Sequence, residues 1–392
     1  MAHQKHDYGT YPAPGKYTIF TRVKSWYAQF ERPISSISLV GGFVFDAVTL
    51  KRVDLYWDNL WVIGHLAIVT VCAIWINILN DGTGKKGVYE AADPNRLHFW
   101  LVNIIQFFFG GILSTYLVFY FRSGTFATSW PFLLLLAAAF IANESLKRSY
   151  ARTAFQFSLL FLAYYAFAIY LMPILLHRIG TLVFILSGAV SLAIIRIIAL
   201  IPRIFRREKL VGRHKWLVII SVGGIFIAVN SLYFLKLIPP LPLSLEDAGI
   251  YNSLIVNGPG NYTVTYENTD TKDFLSQATE FLKTEATVHV TSGETLYAYT
   301  AVFSPTALNT DIVHVWQYYN ATSSAWETRG SIILPVVGGR TGGYRTYSNI
   351  SGLDDGSWRV NVETPDGRVI GRLNFEVFTA TTPPETQIKT IQ

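Results

Sequence analysis

The chain has 392 residues, enough for two or three domains, and is 51% hydrophobic with only 15% charged residues. Its mean hydropathy of +0.32 excludes an ordinary soluble globule and points to a membrane protein. The net charge of +6 divides unevenly: residues 1–236 hold 23 Lys and Arg against 10 Asp and Glu, whereas residues 237–392 hold 9 against 16. That asymmetry marks two environments and excludes a nucleic-acid binder, which needs basic residues clustered in a soluble domain. The single cysteine, Cys72, excludes a disulfide framework and a cysteine-based metal site, and its apolar neighbours predict burial in lipid or core.

Residues 1–33 read as a cytoplasmic tail. The polar start "MAHQKHDYGTYPAPGK" has no short apolar region with a cleavage site, so no removable signal peptide is expected. Within it, "KYTIFTRVKSWYAQFER" (16–32) sets Phe20, Val23, Tyr27 and Phe30 at helical spacing between basic residues. It reads as an interfacial helix, with a disordered tail as the alternative.

Residues 34–236 read as a transmembrane helical domain. Long apolar runs fall at 59–79, 98–121, 127–143, 153–175, 181–203 and 214–235, and a shorter run at 34–50 either spans or is re-entrant. A span needs about 20 apolar residues. Counting 34–50 as a span gives seven helices and places 17 basic residues on one side against Lys51, Arg52, Arg122 and Arg178 on the other. Without it the split falls to 12 against 9, so seven helices with a cytoplasmic N-terminus are expected.

Charges at membrane depth are functional candidates by default. Asp46, Glu144 and Arg196 are the three. Glu144 and Arg196 both fall towards the cytoplasmic side, where they pair, share a polar pocket, or snorkel separately. Asn103, Gln106, Gly110 and Gly111 read as helix-packing positions and His65 as a hydrogen-bonded packing histidine. Asp46, Asp54 and Asp58 could hold a divalent cation, but Lys51 and Arg52 are close enough to neutralise them. No metalloprotease, phosphate-loop, hydrolase-elbow or dinucleotide motif is present. No catalytic residue, metal ligand or cofactor is therefore assigned.

Residues 237–285 read as a juxtamembrane linker or stalk. Pro239, Pro240 and Pro242 stiffen its start, and "NYTVTYEN" and "KDFLSQATEFLKTE" are a possible strand and helix. From 286 to 380 the period becomes two. Strands are expected at 286–291, 295–303, 311–319, 326–336 and 343–348, then in "WRVNVET" and "RVIGRLNFEV", with Asp366-Gly367 as a hairpin turn. Seven short strands predict an extracytoplasmic all-β, immunoglobulin-like antiparallel sandwich with Trp316 and Trp358 in its core. Residues 381–392 are expected to be a flexible tail. Three N-x-S/T sequons, at Asn261, Asn320 and Asn349, read as accidental in a bacterium.

"HVWQYYN", "ILPVVGGRTGGYRTYS" and "GSWRVNVETPDGRVIGRLNFEV" together resemble the C-terminal module of a bacterial family known as domain of unknown function 2914. The resemblance covers about 290–378 and rests on Trp316, Pro335, Gly339, Arg340, Gly343, Arg345, Ser348, Trp358, Gly367 and Phe375. "GGFVFDAVTLKRVD" is similar to the amino-terminal part of such proteins. The resemblance implies a multi-pass inner-membrane protein ending in this module, and it implies no activity.

"GGRTGGYRTYS" (338–348) joins two of the expected strands. One reading is a glycine-rich corner whose arginines pair with Asp354, Asp355 or Glu327 and lie over Tyr344 and Tyr347. A second is a recognition loop in which Arg340 and Arg345 take an anionic group while Tyr344, Tyr347 and Trp326 stack on a sugar. A third is a contact with a protein partner. The expected class is a binding or scaffolding protein whose partners are the lipid bilayer and envelope polysaccharide or another envelope protein. The rival is a membrane enzyme or transporter using a polar cavity around Asp46, Glu144 and Arg196.

Overall fold

The computed structural model of the protein describes residues 41–391 apart from 49–54, 80–96, 147–148, 150–151, 207–211, 268–284 and positions 292, 307 and 341. The apolar runs form six helices: α1 (Tyr56–Leu79), α2 (Leu97–Arg122), α3 (Phe126–Ser145), α4 (Thr153–Leu176), α5 (Thr181–Arg206) and α6 (Gly212–Phe234). All six are long and apolar enough to cross a membrane. Of the first expected span, residues 41–48 are described and are helical. The interfacial helix expected at 16–32 and the helical stretch expected within 272–285 lie outside the described residues, except for Glu285, which is strand.

The helices pack as a bundle in which α4 is central. It contacts α1, α2, α5 and α6, and Leu160, Ala163, Tyr165 and Tyr170 are fully buried. The peripheral helices turn Leu182, Ile197, Ile204, Ile220 and Ile227 outward. Apolar faces of this extent are compatible with a membrane, where a helix satisfies its own backbone. Buried polar side chains tie helix to helix. Asn77 donates to Gln156 at 2.6 Å and accepts from Thr153 at 2.9 Å, and Asn143 donates to the Gln106 carbonyl at 2.9 Å. The Tyr116 and Tyr120 hydroxyls donate to the Ala163 and Ala166 carbonyls.

The remaining chain forms eleven strands: β1 (Ser244–Tyr251), β2 (Ser253–Gly258), β3 (Asn261–Glu267), β4 (Glu285–Val290), β5 (Thr295–Phe303), β6 (Thr310–Asn320), β7 (Ala325–Val336), β8 (Tyr344–Ser351), β9 (Gly356–Glu363), β10 (Val369–Thr379) and β11 (Thr386–Ile391). They make three sheets, ordered β4-β10-β9-β6-β7, β1-β5-β8 and β11-β3-β2. The first two face each other. Trp316, Trp358, Val360, Phe375 and Val377 of the five-stranded sheet meet Leu296 and Ala298 of β5. The third sheet covers the other side of β5, packing Leu254, Tyr262, Val264 and Ile391 on Tyr299 and Ala301.

The seven expected strands are β4 to β10, each within a few residues of its expected ends. Three features differ from expectation. The β4–β10 pair is parallel, because the turn at 291–294 carries the chain from one sheet to the other. The supposed linker is more structured than expected: Ile238, Leu241 and Leu243 are at most 3% exposed, β1 and β2 follow, and the strand expected in "NYTVTYEN" is β3. Leucines and isoleucine set between prolines gain more from burial than from an extended path in water. The supposed tail pairs as β11 along β3, from Thr386 opposite Glu267 to Ile391 opposite Tyr262.

The β region sits directly on one end of the bundle. Phe303 joins the helical core, Ile179 packs into the sandwich core, and a Cβ on Gly124 would stand 3.0 Å from Pro239. Buried Arg368, held by Asp366 at 2.9 Å, lies over the Tyr233 ring of α6 with 4.9 Å to the ring centre.

Candidate functional site

The 338–348 stretch leads into β8. Gly343 has φ +77, and a Cβ there would stand 2.8 Å from the Ala301 carbonyl carbon, so glycine alone lets β8 start beside β5. The strand then alternates, sending Thr346 and Ser348 into the sandwich and Arg345 and Tyr347 towards the third sheet.

Arg345 acts as a tie between sheets. Its guanidinium donates to the Gly260 carbonyl at 2.9 Å, and its own carbonyl accepts from the Tyr262 hydroxyl at 3.2 Å. Gly260, in the β2–β3 turn, has φ +76, a conformation that disfavours any side chain, and a Cβ there would stand 3.1 Å from the Arg340 guanidinium. Arg340 lies over the Tyr344 ring at 4.9 Å, and Tyr347 meets Tyr262 and Tyr297 with ring centres 6.0 and 6.4 Å apart. Burial raises the phenol pKa of Tyr299 to about 12, with Arg345 pulling it back. Burial also raises that of Tyr262, against the opposing fields of Arg340 and Arg345. Both phenols remain protonated near neutral pH, and that of Tyr262 is the donor to the Arg345 carbonyl.

Four of the five candidate residues, Arg340, Tyr344, Arg345 and Tyr347, are thus brought together with Tyr262. Trp326 is not among them. It stands on β7 in the five-stranded sheet, under the Arg359 guanidinium at 4.1 Å and beside Tyr319. The reason is the register: β7 pairs with β6, whereas β8 crosses to the other sheet and pairs with β5. The carboxylates expected for the two arginines serve other groups. Glu327 and Asp354 flank Arg329 at 3.5 and 3.8 Å, and Asp355 accepts from the Thr379 backbone.

Within the helices, Asp46 faces Ser114 and His65. The His65 Nδ1 bonds the Trp61 carbonyl at 2.8 Å, and a Cβ on Gly111 would touch its ring at 3.3 Å. Arg196 lies on an exposed face of α5. Glu144 belongs to α3, and its side chain is outside the described residues. A groove between α3 and α6, lined by Pro131, Leu134, Leu135, Ala228 and Leu232, is almost wholly apolar.

Sequence reasoning missed two groups. Buried His314 bridges Thr300 and Ser348 inside the sandwich. Arg359 and Arg372 form a ladder with Gln317 and Asn361 on the open face of the five-stranded sheet. Alternation along β9 and β10 puts those side chains on the face opposite Trp358 and Val360, but their meeting depends on pairing across strands.

Residues 309–377, which span β6 to β9 and most of β10, match the family described as Protein of unknown function (DUF2914). No curated protein matches the chain. Among solved structures the chain is similar to an immunoglobulin-like protein from Pseudomonas aeruginosa, at 12% identity over 32% of this chain and 97% of that one, with a TM-score of 0.19. It is also similar to a β-glucosidase from Listeria innocua in complex with gluconolactone, at 16% identity over 23% of this chain and 14% of that one, with a TM-score of 0.17. A third is an alkylpurine DNA glycosylase from Pseudomonas fluorescens bound to DNA containing an abasic site analog, at 11% identity over 81% and 98%, with a TM-score of 0.19. At such TM-scores none of the three bears on what this chain does.

Several positions shared with the family resemblance serve packing. Trp316 donates to Ser348 at 2.9 Å, Phe375 meets the Trp316 ring edge-on at 6.1 Å, and Trp358 donates to the Asp354 carbonyl.

Proposed function

We propose that the protein is a multi-pass protein of a bacterial inner membrane that holds an immunoglobulin-like β-sandwich outside the cytoplasm as a binding module for envelope glycan or an envelope protein. The observation that carries this reading is the Arg340–Tyr344–Tyr347 cluster, in which Arg340 and Tyr347 are exposed beside buried Tyr262, on a module packed directly onto the bundle. A surface held at fixed posture loses little entropy on binding, and arginine beside tyrosine suits anionic or sugar-bearing partners. The immunoglobulin-like reading rests on the two facing sheets and on β4 running parallel to the last strand of the sandwich.

The test uses the full chain in lipid nanodiscs, because Tyr233 and residues 238–243 are part of the β region's packing. Binding to envelope polysaccharides and to a soluble envelope-protein fraction is compared between wild type and Arg340→Ala. The expected result is a loss of about tenfold in affinity at unchanged melting temperature, the size of one charge-assisted contact. Arg345→Ala serves as the folding control, since it frees the third sheet. Binding that is equal in wild type and Arg340→Ala sinks the reading. The second reading, an enzyme or transporter, is favoured by the meeting of Asp46 with Ser114 and His65 inside the bundle.

A further inference from the structure

The open face of the five-stranded sheet carries an arrangement that the Arg340 cluster does not use. Along β9, Ser357, Arg359, Asn361 and Glu363 point away from the sandwich core, over about 20 Å at the ordinary strand rise. Gln317 accepts from Arg359 Nε at 2.7 Å and from Asn361 at 3.2 Å, and Asn361 in turn accepts from Arg372 Nε at 2.6 Å. Asn361 is buried beneath this ladder at 4% exposure. Trp326 supports the Arg359 guanidinium from below. Both arginines are thereby held with Nε engaged on the ladder. The ion pairs among the described residues involve His289, Arg329 and Arg368, and no carboxylate lies within 4 Å of Arg359 or Arg372.

The electrostatics agree with that geometry. Burial, and after it the neighbouring Arg372, lower the Arg359 pKa to about 10, and burial lowers that of Arg372; Glu363 opposes both shifts. Glu363, at the bundle end of the face, is held above its ordinary range by burial, against Asn361, Lys236 and both arginines. Glu376 stands on the same face opposite Ser357, at the far end. The centre of the face is therefore a pair of fixed guanidiniums that repel each other.

We propose that Arg359 and Arg372 form an anion-binding track for an acidic glycan, whose carboxylate or phosphate oxygens bridge the two guanidiniums while Gln317 and Tyr319 border the sugar. Two forks fixed before binding suit planar anionic groups, and the amide and aromatic neighbours suit sugar hydroxyls and apolar sugar faces. The track lies on the opposite side of the three-sheet stack from the Arg340 cluster and does not rest on that reading. It runs from Lys236, at the end of α6, up the sheet towards Trp326.

The full chain in neutral-lipid nanodiscs is titrated with oligogalacturonate, with a neutral glucan of the same length as the control. Expected is binding that weakens with salt, is competed by pyrophosphate, and falls at least tenfold in Arg359→Gln and in Arg372→Lys, the second of which keeps the charge and loses the fork. Phenylglyoxal modification of the wild-type protein supplies a readout without mutation: oligogalacturonate protects Arg359 and Arg372 and leaves Arg329 reactive. No binding, equal binding of the neutral glucan, or absence of protection at both arginines overturns the proposal. Binding seen only when phosphatidylglycerol is placed in the nanodiscs overturns the glycan and assigns the track to a lipid headgroup.

Discussion

His314 is the residue whose chemistry is most constrained. It is wholly buried between the two facing sheets, with Nε2 at 2.9 Å from the Thr300 hydroxyl and Nδ1 at 2.8 Å from that of Ser348, which also accepts from Trp316. Burial lowers its pKa from 6.5 to about 4. The unfolded chain takes up a proton below pH 6.5 that the folded ring refuses until about pH 4. Stability is therefore full above pH 6.5 and is lost as the pH falls towards 4, by up to about 3 kcal/mol. Unfolding in urea at pH 7.5, 6 and 5, followed by tryptophan fluorescence, should show this fall, and His314→Gln should flatten it. A wild-type curve without slope in that window would mean that the ring is solvated. Ile312, His314 and Trp316 share one parity in β6, so the sequence held the clue that this histidine points inward. Its partners come from β5 and β8, and only the pairing of those strands reveals them.

At the scale of elements, legibility followed amphipathic contrast. β4 to β10 alternate strongly and are punctuated by turns, and six long apolar runs became α1 to α6. β11 was missed because "TQIKTI" offers two isoleucines among polar residues after a pair of prolines, and only Ile391 is buried. β1 was missed because its glycine and acidic residues mask a strand that pairs along β5 from Ser244 to Tyr251, with a bulge between Leu245 and Asp247. Candidate-site residues adjacent in sequence, Arg340, Tyr344, Arg345 and Tyr347, were found together. Arg359 and Arg372, which meet across two strands, were not. The third sheet allows a sharp test. A chain ending at residue 384 lacks β11, leaves β3 as an edge and removes the cover that Ile391 gives beside Tyr262. Amide exchange in β2 and β3 should quicken by at least tenfold, while β6, β9 and β10 keep their protection. Uniform quickening across both groups would show that the three sheets unfold as one unit.

For the whole molecule, the question is which way the β region faces. Loops at one end of the helices carry most of the basic residues outside the β region, and the β region packs at the other end, against Gly124, Ile179 and Tyr233. If the chain spans a bacterial inner membrane as proposed, the excess of positive charge expected in cytoplasmic loops predicts that its sheets lie outside. The native cysteine makes this measurable, because Cys72 is buried and is the only one in the sequence. In a Cys72→Ser background, Ser323→Cys places a thiol in the exposed β6–β7 turn, and Ser145→Cys places one at the exposed end of α3. A membrane-impermeant maleimide applied to intact bacterial spheroplasts should label the first, and it should label the second only after lysis. The opposite pattern would put the sheets in the cytoplasm. Both arginine faces would then meet soluble cytoplasmic anions instead of envelope polymers, and the glycan readings of both would fall together. The orientation is thus the one property on which the two surfaces, independent in every contact, depend alike.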